Sequence, residues 1–136
     1  MRSVLIFVLA AAVAAPLASA RSTDVRKIGP KANGTIVLLR PSDELVVSLP
    51  GNATTGYAWR IFSINKGVLK HLGTRYVPKK AVPGQVVGSG GTYVLRFRAV
   101  GAGASPLRLG YVQAGRKGSV ARRFSVDVNV KGFPRV

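Results

Sequence analysis

The chain has 136 residues, no cysteine, and 21 lysines and arginines against 4 acidic residues, which gives a formal net charge of +17 at pH 7. The absence of cysteine excludes disulfides, so any fold must be held together by the burial of apolar side chains alone. A strong positive charge favours anionic partners such as nucleic acid, acidic polysaccharide, lipid head groups or an acidic protein surface.

The first 20 residues have the pattern of a secretory signal peptide. A short basic start precedes an apolar run over residues 4–17, which is too short for a comfortable membrane span, and residues 18–20 (Ala-Ser-Ala) form a small-residue cleavage site. An anchoring helix that is retained is the alternative interpretation. Cleavage after Ala20 would leave 116 residues, which is the size of one domain with one core and no transmembrane segment. We therefore predict a secreted or periplasmic protein.

The rest of the chain is predicted to form short β-strands separated by turns. Residues 21–33 are polar and without pattern, and we predict a loose N-terminal arm there, followed by one domain over residues 34–136. Gly73 lies inside one apolar segment and suggests a bulge. Seven segments alternate apolar and polar residues or are rich in β-formers, at residues 35–39, 44–49, 57–62, 68–77, 93–99, 107–111 and 124–130.

Seven or so strands with regularly spaced turns and no helical periodicity predict an all-β fold. We predict an immunoglobulin-like antiparallel β-sandwich of about seven strands, with Trp59 as its central core aromatic. An up-and-down barrel is the main structural alternative.

Three glycine-bearing connections stand out between these strands. Residues 51–56 form a polar turn whose tip, Thr54 and Thr55, would offer hydroxyls and backbone groups to an outside partner. Residues 78–91 are the longest irregular stretch, and long loops inside compact domains are often functional. Residues 113–119 form the third connection. In a sandwich with this strand order all three lie at one end, where they would form a ridge able to enter a cleft.

The side chains needed for catalysis or metal binding are scarce. His71 is the only histidine, and with four dispersed carboxylates and no cysteine it cannot complete a zinc site or a Ser-His-acid relay. Ser89 is not in a nucleophile elbow, because Val87 stands where the first glycine belongs. Asp43 and Glu44, as neighbours in a strand, point to opposite faces. We predict that the chain is not an enzyme and uses no metal or cofactor.

The positive charge is spread along the chain rather than concentrated. There is no run of five lysines and arginines and no aromatic-rich nucleic-acid motif, which favours solvated basic strand faces over a specific nucleic-acid site. An acidic partner surface remains a possible target of this charge. We predict a monomer.

Two motifs, in this order, resemble those of the chagasin family of protein inhibitors of papain-like cysteine peptidases. The first loop of that family reads Asn-Pro-Thr-Thr-Gly-aromatic-x-Trp, and Ala53 is the one departure from it. The matching residues are Asn52, Thr54, Thr55, Gly56, Tyr57 and Trp59. The second family loop reads Gly-x-Gly-Gly before a strand. It is matched by Gly88, Ser89, Gly90 and Gly91.

The third loop departs from the family pattern. The family usually carries Arg-Pro-Trp soon after a strand that ends in tyrosine. This chain has, after Tyr111, the residues Val112, Gln113, Ala114, Gly115 and Arg116. The rigid and aromatic anchors are therefore missing, and such anchors tend to dominate the energy of an interface.

The resemblance implies a reversible, competitive inhibitor whose three loops form a wedge in the peptidase cleft. The Thr54-Thr55-Gly56 tip would sit over the catalytic thiolate, and the backbone of residues 88–91 would pair with the peptidase as an added strand. Residues 113–116 would contact the opposite side of the cleft. Two alternatives stay open from the residues themselves: a basic periplasmic or cell-surface binding module for anionic polymers, and an immunoglobulin-like structural subunit.

Overall fold

The computed structural model describes residues 23–80, 84, 90–115 and 119–132. These residues form eight strands and two short 3-10 helices, Pro30–Ala32 and Ala53–Thr55. In chain order the strands are β1 (Val25–Ile28), β2 (Ile36–Leu39), β3 (Glu44–Gly51), β4 (Tyr57–Ser63), β5 (Leu69–Pro78), β6 (Gly91–Ala99), β7 (Gly103–Gln113) and β8 (Val120–Val130). The predicted signal peptide lies outside the described residues.

The strands form two four-stranded sheets that pack face to face. The first sheet has the order β1-β3-β6-β5 and the second has the order β2-β8-β7-β4. The short strands β1 and β2 pair in parallel with β3 and β8, and the other pairings are antiparallel. The predicted all-β sandwich is confirmed, with eight described strands where about seven were expected.

The core lies between the sheets and follows the period of two in each strand. In β6, Tyr93, Leu95 and Phe97 are buried, whereas Arg96 and Arg98 are exposed. Such alternation places every second side chain on the inner face. Burial of apolar area, at about 25 cal/mol per Å², is what stabilises a chain without disulfides.

The segment predicted to be a loose arm is different in the structure. Val25–Ile28 forms β1, which pairs in parallel with β3 and aligns Val25 with Glu44. The backbone N–H of Glu44 also donates to the carbonyl of Asp24 at 2.9 Å. This strand is held at the sheet edge by backbone hydrogen bonds while most of its side chains stay exposed. No apolar alternation marks it, and the sequence pattern therefore missed it.

The bulge predicted at Gly73 is present, since the pairing of β5 with β6 shifts register between His71 and Gly73. An extra residue at such a point bends the strand and breaks the regular ladder at the sheet edge. His71 itself makes structural contacts. Its Nε2 lies 2.9 Å from the Thr74 hydroxyl, and its ring lies 5.3 Å from that of Phe97.

The two adjacent acidic residues, Asp43 and Glu44, are buried and engaged in structural contacts. The Asp43 carboxylate accepts hydrogen bonds from the backbone N–H groups of Arg40 at 2.8 Å and Asp24 at 3.3 Å. Glu44 forms an ion pair with Arg96 at 2.5 Å. The carboxylates therefore close a turn and link β3 to β6.

Candidate functional site

Three connections meet at one end of the sandwich. We call them the first loop (residues 52–56, between β3 and β4), the second loop (residues 79–90, between β5 and β6) and the third loop (residues 114–119, between β7 and β8). Gly91 at the start of β6 lies opposite both Gly51 and Pro78. The backbone N–H of Ala114 donates to the carbonyl of Gly56 at 3.0 Å. The structure thus brings the described ends of the three predicted loops together.

Most of the predicted site residues lie in the part of the chain that the structure describes. Gly88, Ser89 and Arg116 lie outside it. The described members are Asn52, Ala53, Thr54, Thr55, Gly56, Tyr57, Gly90, Gly91, Gln113, Ala114 and Gly115. All of these cluster at the loop end of the two sheets.

The first loop is closed by its own side chains. Asn52 Oδ1 accepts hydrogen bonds from the N–H of Thr54 at 3.1 Å and from its hydroxyl at 2.6 Å. The Thr55 hydroxyl donates to the carbonyl of Asn52 at 2.7 Å. Gly56 ends the 3-10 helix with a φ of +80°, a conformation that favours glycine.

This bonding changes one expectation about the two threonines. The sequence suggested that their hydroxyls would be offered to an outside partner. Both hydroxyl protons are instead donated within the loop, although both side chains are exposed. The threonine methyl groups and hydroxyl oxygens therefore form the outer surface of a turn that is already ordered.

An aromatic cluster lies directly beneath the loops. It contains all four tyrosines and the single tryptophan of the chain: Tyr57, Trp59, Tyr76, Tyr93 and Tyr111. Ring centroids of neighbouring members are 4.9 to 6.4 Å apart, within the range of favourable aromatic pairs. Sequence reasoning identified Trp59 as a core aromatic and Tyr57 as a motif residue, but did not predict the cluster. The sequence did contain a signal for the cluster in the positions of these residues. Each of the five aromatic residues lies within three residues of a strand end that is joined to one of the three loops.

The polar groups of this cluster hold the backbone of the first loop. The hydroxyl of Tyr111 accepts a hydrogen bond from the N–H of Asn52 at 2.8 Å. The indole N–H of Trp59 donates to the carbonyl of Pro50 at 3.0 Å. Each ring therefore contributes apolar burial at one end and an anchoring hydrogen bond at the other.

Tyr93 anchors the start of β4 in the same way. Its hydroxyl donates to the carbonyl of Tyr57 at 2.9 Å. Burial, and then the neighbouring phenols of Tyr111 and Tyr76, raises the pKa of Tyr93 above its usual value of 10.0. The hydroxyl is thus protonated and able to donate at neutral pH.

Glycines allow the second loop to lie close to its neighbours. A Cβ at Gly91 would stand 2.3 Å from the carbonyl oxygen of Val77. Gly90 has a φ of +97°, and a Cβ there would stand 3.3 Å from the carbonyl oxygen of Gly51. A Cβ at Gly51 would in turn stand 2.7 Å from the ring of Tyr93. This close approach leaves no room for side chains at the base of the loops.

Two basic residues that sequence reasoning missed lie between the loops. Lys79 and Arg122 line a cleft of about 250 Å³ together with Asn52 and Gly90. The guanidinium carbon of Arg122 lies 5.9 Å from the centroid of the Tyr111 ring, a cation–π distance. The loop end therefore carries positive charge from β8, although the third loop lacks the Arg-Pro-Trp anchors.

The site has the features of a binding surface. Within the described residues there is no group of three histidines, cysteines or carboxylates that could hold a metal ion. The same residues contain no helix long and apolar enough to cross a membrane. What the loop end offers is shape, backbone groups and positive charge.

Comparisons with known proteins agree with this geometry. A family model described as "Chagasin family peptidase inhibitor I42" matches residues 39–130. The cysteine protease inhibitor EhICP2 from Entamoeba histolytica is similar in structure, with a TM-score of 0.71 at 19% identity over 81% of this chain and 98% of that one. No curated protein matches the sequence.

Two further solved structures share the fold. The protein ICP of Leishmania mexicana has a TM-score of 0.53 at 25% identity, over 86% of this chain and 96% of that one. PbICP-C, which was solved in complex with falcipain-2, has a TM-score of 0.57 at 17% identity, over 80% of this chain and 91% of that one.

Proposed function

Because this chain belongs to the chagasin family of cysteine peptidase inhibitors, and is therefore not an enzyme, we propose that it blocks the cleft of papain-like peptidases reversibly and competitively with its three loops. The observation that carries the proposal is the meeting of the three loops at one end, above a common aromatic base. The first loop, which its own hydrogen bonds hold in a turn, loses little conformational entropy when it binds, and this favours affinity.

The first loop is the part that enters deepest in this proposal. Its 3-10 turn presents Thr54 and Thr55 at the tip, with the Asn52 cap holding the turn closed. A tight turn offers the catalytic thiolate no extended peptide with an accessible scissile carbonyl. Inhibition then needs no covalent step, and it is relieved by dissociation or by an excess of substrate.

The second loop supplies backbone groups to one side of the cleft. Residues 88–91 carry no side chain apart from that of Ser89, which would let a peptidase strand approach the backbone of this loop closely. Inside the inhibitor, the carbonyl of Gly90 accepts a hydrogen bond from the N–H of Lys79 at 3.0 Å, which ties the two ends of the loop together.

The third loop contacts the opposite side of the cleft. The hydrogen bond from Ala114 to Gly56 couples it to the first loop, so that the two present one surface. Without an aromatic anchor, Gln113 and Ala114 supply shape rather than strong local binding. The charges of Lys79 and Arg122 favour a target whose cleft rim is acidic and speed the encounter with it.

The place of action is part of the same proposal. The pattern of residues 1–20 supports export, so the inhibitor would meet its target outside the cytoplasm. A papain-like peptidase in that compartment, of the same or of a foreign organism, is the proposed partner of a monomeric inhibitor.

A steady-state inhibition panel tests the proposal. Residues 21–136 should raise the apparent KM of one or more papain-like peptidases for a peptide substrate and leave kcat unchanged, and full activity should return on dilution. Measurements at 50 and 200 mM salt should show slower association at the higher salt if charge steers the encounter. A serine peptidase is the control and should not be inhibited. Absence of inhibition at micromolar protein across the panel would contradict the proposal.

Replacing Ala53 with proline is expected to tighten inhibition two- to fivefold. Asn52 has φ −136° and ψ +102°, an extended conformation that suits the residue before a proline. Ala53 is the first residue of the 3-10 helix, where proline is favoured. Proline should restrict the backbone of this turn further before binding, which contributes about 0.5–1 kcal/mol.

The matched control is Ala114→Pro in the third loop. The N–H of Ala114 donates to Gly56, and proline removes that donor. We expect Ala114→Pro to weaken inhibition and Ala53→Pro to strengthen it, as measured by the inhibition constant. Equal effects of the two prolines would show that the first loop does not limit binding.

A further inference from the structure

A second candidate site lies on the outer face of the second sheet, away from the loops. Phe62 in β4 is 49% exposed, and the tip of its ring lies over β7 at Gly110. A Cβ at Gly110 would stand 2.3 Å from two of the ring atoms. The ring tip therefore occupies the space that a side chain at residue 110 would fill, while about half of Phe62 stays exposed.

Arginines surround this ring. Arg108 and Arg123 line a cavity of about 440 Å³ together with Phe62, Ser63 and Ser125. Arg60 shares the face, because β-strand register places it and Arg123 on either side of Gly110. Register also aligns Arg108 with both Ser63 and Ser125, so the guanidinium groups and serine hydroxyls belong to one patch.

None of these arginines forms an ion pair with a carboxylate of the described residues. Among the described residues the ion pair is that of Arg96 with Glu44, on the first sheet. Asp43 is engaged with backbone N–H groups near β1. Asp127 is exposed on β8, two residues from Ser125, but forms no ion pair with Arg108 or Arg123. The patch therefore keeps its positive charge available for a ligand.

We propose that this patch, formed by Phe62, Ser63, Arg108, Arg123 and Ser125, binds an acidic saccharide. Guanidinium groups bind carboxylates and sulfates with paired, charge-assisted hydrogen bonds. The exposed part of the Phe62 ring offers an apolar platform to a sugar ring, and the serine hydroxyls can exchange hydrogen bonds with sugar hydroxyls. A cavity of about 440 Å³ is in the size range of small-ligand sites.

Other polyanions fit this patch less well. Single-stranded nucleic acid is bound by several aromatic side chains along a basic groove, and the patch has one. A membrane surface is bound by apolar side chains that protrude into the lipid. Phe62 is the one apolar residue among the five of the patch, and the tip of its ring is held against Gly110.

The patch is separate from the inhibitory loops. β4 runs away from the loop end, and Phe62 follows Tyr57 by five residues, which corresponds to about 16 Å along a strand. A saccharide on the patch would leave the loop end free. The chain could thus inhibit a peptidase while it is attached to an acidic polysaccharide, and each activity can be lost without the other.

Calorimetry with defined oligosaccharides tests the proposal. The probes are a heparin tetrasaccharide, which carries sulfates, and tetragalacturonate, which carries only carboxylates, with maltotetraose as the neutral control. We expect one or both acidic probes to bind, with an affinity that falls between 50 and 200 mM salt, and maltotetraose not to bind. The double variant Arg108→Gln/Arg123→Gln should weaken acidic binding at least tenfold and leave peptidase inhibition, measured without saccharide, unchanged.

Arg75→Gln/Arg98→Gln is the matched control. It removes the same charge from exposed positions on the first sheet and should weaken binding less than threefold. Equal losses in the two double variants would show a diffuse charge effect and overturn the proposal. Tighter binding of duplex DNA or of phosphatidylglycerol vesicles, lost with Arg108→Gln/Arg123→Gln, would assign the patch to another class of partner and overturn it as well.

Phe62→Ala separates the ring from the charge. It should weaken binding of the acidic saccharide severalfold while the slope of affinity against salt stays the same, because the number of charged contacts does not change. An unchanged affinity in this variant, with folding verified by circular dichroism, would contradict the role of the ring platform.

Discussion

Replacing Thr55 with tryptophan is expected to raise the inhibition constant for a papain-like peptidase at least 100-fold, which corresponds to about 2.7 kcal/mol of lost binding energy. Thr55 is exposed at the tip of the first loop, where the proposed complex leaves no room for a larger side chain. The free energy of unfolding should change little, because an exposed side chain at this tip packs against no core residue. The measurements are the inhibition constant and a urea unfolding curve.

Thr35→Trp is the control for this prediction. Thr35 is also exposed and also lies near a three-residue 3-10 helix: it follows Pro30–Ala32 by three residues, whereas Thr55 is the last residue of Ala53–Thr55. The Thr35 hydroxyl donates to the carbonyl three residues earlier at 2.6 Å, as the hydroxyl of Thr55 does at 2.7 Å. The two variants therefore lose the same local bond and gain the same bulk. Comparable inhibition by Thr55→Trp and Thr35→Trp would show that the first loop does not enter the cleft.

Replacing Gly91 with alanine is expected to lower the free energy of unfolding by about 3 kcal/mol, the upper part of the range for overpacking. The added Cβ would stand 2.3 Å from the carbonyl oxygen of Val77 and 2.8 Å from the Cα of Pro78. Both are backbone atoms of β5, so relief requires the β5–β6 ladder to open at the loop end. A thermal unfolding curve should show a Tm lower by about 10 °C.

Gly132→Ala controls for the loss of glycine itself. Gly132 is exposed, and no atom lies within 4 Å of a Cβ built there. Its stability should change by no more than about 0.5 kcal/mol. If Gly91→Ala were as stable as Gly132→Ala, the close approach of β5 and β6 at this point would be disproved.

The strands that carry the core were predictable because one face of each is buried. The alternation of Tyr93, Leu95 and Phe97 with Arg96 and Arg98 indicates a strand without any knowledge of its neighbours. β1 carries no such pattern, because backbone pairing to β3 holds it while its side chains remain in water. Burial of one strand face imposes an alternation of apolar and polar residues on the sequence, whereas backbone hydrogen bonding imposes no such pattern.

The candidate site was predictable in outline and not in detail. Turn-forming residues at 51–56 and the strand order together place the loops at one end. The hydrogen bonds of Tyr111 to Asn52 and of Tyr93 to Tyr57 join residues 59 and 36 positions apart. Such partners depend on the register between strands and sheets, which local pattern does not determine. The position of Arg122 between the loops has the same origin.

Every tyrosine and the single tryptophan lie at one end of the sandwich, so the aromatic spectroscopic signals report on that end rather than on the whole molecule. Near-ultraviolet absorption and intrinsic fluorescence of residues 21–136 arise almost wholly from rings within three residues of the loop ends. Thermal unfolding followed by Trp59 fluorescence therefore reports on the aromatic cluster beneath the loops. Far-ultraviolet circular dichroism reports on all of the strands. A difference between the two midpoint temperatures would show that the aromatic cluster unfolds independently of the rest of the sheets. The measurement needs no added label.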